Sequence, residues 1–165
     1  MLNRIMRFFA PKKKSLSGFK LTGTWTLKVF DADGRLKSTR VKKNLITTAG
    51  LGWLCSYING AVPPTNMSHI AVGTSTTPAS VGQTSLVAEV LARSSAAKSV
   101  VTTDVTNDTM RFVVTIQNAS TQKTITEAGL FNASSSGTMF NRAVFTGVVL
   151  AATDSMQVTL DVKAS

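Results

Sequence analysis

Near the end of the chain Met156, Val158, Leu160 and Val162 alternate strictly with Gln157, Thr159 and Asp161. A two-residue period predicts a strand with one face in a core and the other in water. Trp25, Leu27 and Val29 alternate with Thr24, Thr26 and Lys28 in the same way, and Asp31-Ala32-Asp33-Gly34 supplies turn chemistry for a hairpin with a second, polar strand from Arg35 to Val41. Lys and Arg on that second strand suit an exposed sheet edge, where charge discourages unwanted pairing. Residues 69–73 predict a short buried strand. Further strands are predicted from Val100 to Thr106 and Met110 to Gln117 around a turn at Asn107-Asp108, and from Thr124 to Phe131 and Met139 to Phe145 around a Ser-rich loop.

The period changes to 3.6 residues between Thr47 and Asn59, where Leu51, Leu54, Cys55 and Ile58 recur. This predicts a core helix, capped by Thr47 or Thr48 and stopped by Gly60, with Cys55 as a small buried hydrophobe and Trp53 and Tyr57 in the core. Leu86, Val87, Val90 and Leu91 predict one or two further helical turns. In the first ten residues Leu2, Ile5, Met6 and Phe9 fall at helical spacing away from Arg4 and Arg7, so a short amphipathic helix is predicted there. Pro11 would end it, and Lys12, Lys13 and Lys14 begin a basic linker. The expected fold is mainly β: an antiparallel β-sandwich or barrel with one core helix at about 47–59. Residues 1–20 form a basic arm and linker, and residues 21–165 one β-rich domain, a size that suffices for a single core.

Charge divides the chain at the same place. The net charge is +10, and residues 1–43 hold twelve basic and two acidic side chains, leaving six of each in the remainder. A basic end on a neutral body argues for docking on something acidic, either a protein patch, nucleic acid or lipid headgroups. A solvated tail is the plainer alternative. No stretch approaches the roughly 20 apolar residues that span a bilayer, so stable membrane insertion is not expected. The charged N-terminal residues do not fit a secretory signal, and Sec export is not expected.

Catalytic chemistry has little to stand on. His69 is the sole histidine, the lone Cys55 permits no intrachain disulfide, and neither a nucleophile elbow nor a phosphate loop is present. The Asp31–Gly34 turn fails as a calcium loop, because its sixth and twelfth positions would be Leu36 and Lys42. Glu127, in a small and apolar neighbourhood, is expected to pair with Arg142 or Arg111 across the sheet. Neither an enzymatic activity, a cofactor nor a metal is expected. The basic arm has the electrostatic footprint of a nucleic-acid binder but lacks any sequence-specific module, leaving nonspecific backbone contact.

Three stretches taken together resemble small structural proteins of tailed bacteriophages and prophages. They are Asn44-Leu45-Ile46-Thr47-Thr48-Ala49-Gly50-Leu51, His69-Ile70-Ala71-Val72-Gly73-Thr74-Ser75-Thr76-Thr77-Pro78-Ala79, and Thr124-Ile125-Thr126-Glu127-Ala128-Gly129-Leu130-Phe131-Asn132. They occur in the family's order and precede a closing Asp154-Ser155-Met156-Gln157-Val158-Thr159. The resemblance spans roughly residues 22 to 162 and implies a virion β-domain of the tail, fibre or minor head type, with Gly73 and Gly129 as fold residues. The arm lies outside it. The function expected is a virion component, present in several copies, whose arm docks on capsid, portal, neck or tail proteins. Leu2, Ile5, Met6, Phe8 and Phe9 would enter a partner groove, and Arg4, Arg7, Lys12, Lys13 and Lys14 would face acidic rims. A polyanion-binding module and a glycan-binding head that uses Trp53 and Tyr57 are the alternatives.

Overall fold

A computed structural model describes residues 18–60, 65–118 and 120–165. The chain runs β1 (Leu21–Phe30), β2 (Leu36–Lys43), β3 (Leu45–Ile46), α1 (Thr48–Asn59), β4 (His69–Gly73), β5 (Ser94–Ser95), β6 (Ala97–Val101), β7 (Thr109–Gln117), β8 (Lys123–Phe131), β9 (Met139–Leu150) and β10 (Ser155–Ala164). These strands form two five-stranded sheets, β2-β1-β10-β7-β6 and β3-β9-β8-β4-β5. Every neighbouring pair is antiparallel.

The inward residues of both sheets meet in one hydrophobic cluster. Trp25, Leu27, Val29, Met156, Val158, Leu160 and Val162 come from the first sheet, and Ile70, Val72, Ile125, Leu130 and Phe140 from the second. The alternation in β1 and β10 therefore has the expected cause: Trp25 pairs with Leu160 and Leu27 with Val158, so their apolar sides share one face of the sheet. The fold is a β-sandwich. Gly34, at φ 80°, completes the β1–β2 turn, in which the Asp31 carboxylate accepts the N–H groups of Asp33 and Arg35.

β8 departs from simple alternation, being buried on both faces from Ile125 to Phe131. The segment between β4 and β5 causes this by folding back over the outer face of the second sheet. Leu86 joins Ala71, Phe131 and Met139 in a smaller apolar cluster there, and the Arg93 guanidinium lies 3.6 Å from the centre of the Phe131 ring. The helical turns expected at Leu86–Leu91 are absent. Their backbone groups bond to β4 instead: Thr74 N–H donates to Ala88 O, Val90 N–H to Val72 O, and Gly73 bridges Glu89. A neighbouring strand outweighs the weak helical period of so short a segment.

The helix forms where its spacing predicts. Thr47 caps it by accepting the Gly50 N–H at 2.9 Å, and Gly60 closes it in the left-handed conformation at φ 64°. Which side it buries differs from expectation. Gly50 is its sole buried residue, Leu51 is 48% and Ile58 73% exposed, and Cys55 is exposed. The reason is the contact at Gly50, where an added Cβ would collide with the Phe140 carbonyl oxygen. That backbone contact turns Gly50, Trp53, Leu54 and Tyr57 towards the body and leaves the Leu51–Cys55–Ile58 side outside. The strand expected at Val100–Thr106 lies earlier, at Ala97–Val101, because the Asp108 carboxylate gathers the N–H groups of Thr103, Asp104 and Val105 into a loop.

Candidate functional site

The residues expected to dock a partner, Leu2, Arg4, Ile5, Met6, Arg7, Phe8, Phe9, Lys12, Lys13 and Lys14, all lie outside the described residues. What the described part brings together is a buried ion pair, a basic sheet edge and an apolar groove beside α1.

Glu127 and Arg142 are both 0% exposed. They sit on neighbouring strands near the Glu127–Val144 pairing, and Arg142 Nε donates to Glu127 Oε2 at 2.8 Å. Nη2 lies 2.7 Å from the same oxygen, a charge contact without hydrogen-bond alignment. The second Glu127 oxygen accepts from Ala88 N–H at 2.7 Å and Ser75 N–H at 3.4 Å, and Oε2 accepts from Val87 N–H at 3.2 Å. Arg142 Nη1 donates to Gln83 Oε1. Gly73 makes room for this arrangement, since a Cβ there would strike Ala88 O and Glu127 Oε1. Glu127 is thus a clamp that ties residues 75, 87 and 88 of the overlying segment to the sheet, and its acceptor capacity is spent on those donors. Of the two partners expected for it, Arg142 is the one found; Arg111 pairs with Asp161 at 2.7 Å, and that hydrogen bond and charge raise the Arg111 pKa.

The second feature is β2, the terminal strand of the first sheet. Lys37 is committed to Asp154, which is only 3% exposed. The Lys37 hydrogen bond and the Ala151 N–H hold the Asp154 carboxyl below the usual carboxylate range, against the opposing effect of burial. Arg35 pairs with Asp33 in the turn. Arg40, Lys42 and Lys43 on β2, and Lys28 on the neighbouring β1, make no ion pair among the described residues, so this end of the sheet carries uncompensated cations.

The third feature is a groove of about 520 Å³ between α1 and the β6–β7 end of the first sheet. Trp53, Leu54, Tyr57 and Ile58 line it from α1, and Lys98, Val100, Met110, Arg111 and Phe112 from β6 and β7. Trp53 stacks on Tyr57 with ring centroids 5.1 Å apart, meets Phe140 edge-on and donates its Nε1–H to Thr65 O. One face of the indole is therefore already covered. Tyr57 stays 50% exposed. The sequence signal for this surface is that α1 contains no charged residue, unusual for a helix facing water.

His69 begins β4 and its Nδ1 lies 2.8 Å from the Ser68 hydroxyl; no third group bonds the ring among the described residues. Nor do the described residues hold a cluster of three or more His, Cys, Asp or Glu suited to a metal. No described helix is long and apolar enough to cross a membrane.

Comparisons with protein families, curated proteins and solved structures give no match to this chain.

Proposed function

We propose that the chain is a non-enzymatic structural component of a tailed-phage virion, present in several copies and docked on other virion proteins through its basic N-terminal arm. The observation that carries this reading is the convergence of the three phage-like stretches. Thr47 and Gly50, from the first, bond and pack against Met139 and Phe140 of β9. The second supplies β4 and the Ser75 N–H held by Glu127, and the third is β8, which carries Glu127. Segments up to 80 residues apart thus meet in one sheet, and the side chains that characterise them are engaged in holding it. Such a motif set supports a scaffold whose activity is assembly. Deleting residues 1–14 tests the arm: the remaining chain should fold, remain soluble and fail to enter particles. Normal incorporation of the shortened chain would refute docking through the arm.

The unpaired cations at the β2 edge favour a second reading, contact with a polyanion such as packaged nucleic acid. Gel shifts with duplex DNA across a salt series test it. Steep loss of binding with salt, and further loss in an Arg40→Glu/Lys42→Glu variant, would support that reading, whereas weak binding indifferent to both would dismiss it.

A further inference from the structure

We infer that the corner where the chain crosses from the first sheet to the second encloses bound water, held by Trp25 Nε1, the Asn44 amide and the Asn141 amide. These groups are shut off from solvent, and none makes a hydrogen bond among the described residues. Trp25 and Asn141 are both 0% exposed. A buried amide or indole N–H left without a partner is costly, so folded proteins pair such groups with protein or with ordered water. Strand register brings the three to one corner. Asn44 joins β2 of the first sheet to β3 of the second. Ile46 pairs with Asn141, and Asn141 with Leu130 of the core, so the Asn141 amide points between the sheets. Asn44 lies two residues before Ile46, on the same side of the chain. From the first sheet, Gly23 pairs with the buried Val162 and so belongs to the inner face; a Cβ there would sit 2.2 Å from Asn44 Oδ1. Trp25 is the next inward residue of β1. Glycine at 23 thus makes room for an amide inside the sandwich.

Enclosure and chemistry together select the occupant. Polar atoms shut off from solvent cannot be reached by a partner protein, a nucleic acid or a glycan. All three groups are neutral, and Arg142, next to Asn141 in the strand, turns to the opposite face and meets Glu127. The set is also mixed: two carbonyl oxygens accept, while two amide NH2 groups and the indole N–H donate. The donors oppose a cation and the acceptors oppose an anion. Water both donates and accepts, and a buried water molecule makes about three such bonds.

An atomic-resolution crystal structure of the full chain tests this directly. Ordered water should lie at about 2.7–3.2 Å from at least two of the three groups. In solution, the Trp25 indole proton of the wild-type chain should show a cross-peak to water whose sign differs between NOESY and ROESY spectra, the mark of bound water. Comparison with Trp53→Phe assigns that signal. Asn141→Leu keeps the size of the amide but can neither donate nor accept. By displacing water shared with Asn44 and Trp25 it should lower the melting temperature by about 2–12 °C. Adding Asn44→Leu should recover part of that loss, because fewer polar groups are then stranded. A dry corner would instead be unaffected or stabilised by Asn141→Leu. The three groups bonded directly to one another or to other protein atoms in the crystal, no water cross-peak, or an Asn141→Leu chain as stable as wild type would each overturn the inference. The crystal and the cross-peak are observed on the wild-type chain, so they decide the matter even where a variant fails to fold.

Discussion

Replacing Glu127 by Ala removes the carboxylate from a site where Arg142 is fully buried, and leaves that guanidinium without a counter-charge. It also strands the N–H groups of Ala88, Val87 and Ser75, now bonded to the carboxylate. Breaking a buried pair by deleting one partner costs about 3–5 kcal/mol, against a total stability of about 5–15 kcal/mol for a domain. A loss of that size should lower the melting temperature by about 6–20 °C for a chain of this length. Urea unfolding measures it as a fall in the transition midpoint at constant slope. A double-mutant cycle isolates the pair: with Arg142→Met added no charge remains buried, so the double variant should recover about 2 kcal/mol or more relative to the sum of the single losses. Limited proteolysis should also cut Glu127→Ala sooner than wild type between residues 74 and 93, the segment the clamp holds. A loss below about 1 kcal/mol for Glu127→Ala, or single losses that simply add, would refute the clamp.

Two glycines of α1 should respond in opposite directions to the same substitution. Gly50→Ala should cost more than about 1 kcal/mol, because its methyl collides with the Phe140 carbonyl. Gly52→Ala has open space around it and should gain up to about 1 kcal/mol from helix propensity. Thermal melts of the two variants check both. Asp154 should make stability pH-dependent. Its folded pKa lies below the unfolded value of about 3.9, so its contribution is complete above that value and is lost as pH falls through the folded pKa. Urea midpoints below about pH 4 should therefore fall less steeply in Asp154→Asn than in wild type; parallel curves would count against the Lys37–Asp154 contact as the cause.

The strands were legible where a single face is buried. β1 and β10 show it plainly, because alternation maps directly onto one core face. The β1–β2 turn was also legible, since Gly34 and Asp31 perform local tasks. Helix boundaries followed from Thr47 and Gly60 for the same reason. Burial of α1 was not legible. A 3.6-residue period reveals an apolar side but not what covers it, and the choice was made by Gly50 against a strand 90 residues away. Leu86–Leu91 misled because its apolar spacing is also satisfied by an extended segment packed on Ala71 and Phe131 and tied down by Glu127. The partner of Glu127 was narrowed to two arginines, and the division of strands between the sheets separates them: Arg142 is on β9, the neighbour of β8, whereas Arg111 is on β7 in the other sheet. The groove combines side chains from α1, β6 and β7; the absence of charge on α1 marks one wall in the sequence, and no local pattern marks the other.

Assembly into a virion scaffold is put to the test by the density of intact particles purified from cells that make this chain. Multiple symmetry-related copies of the ten-stranded sandwich are expected there, with residues 1–14 directed towards a neighbouring virion protein. Particles with no density for the sandwich, and no copies of the chain by quantitative mass spectrometry, would contradict it.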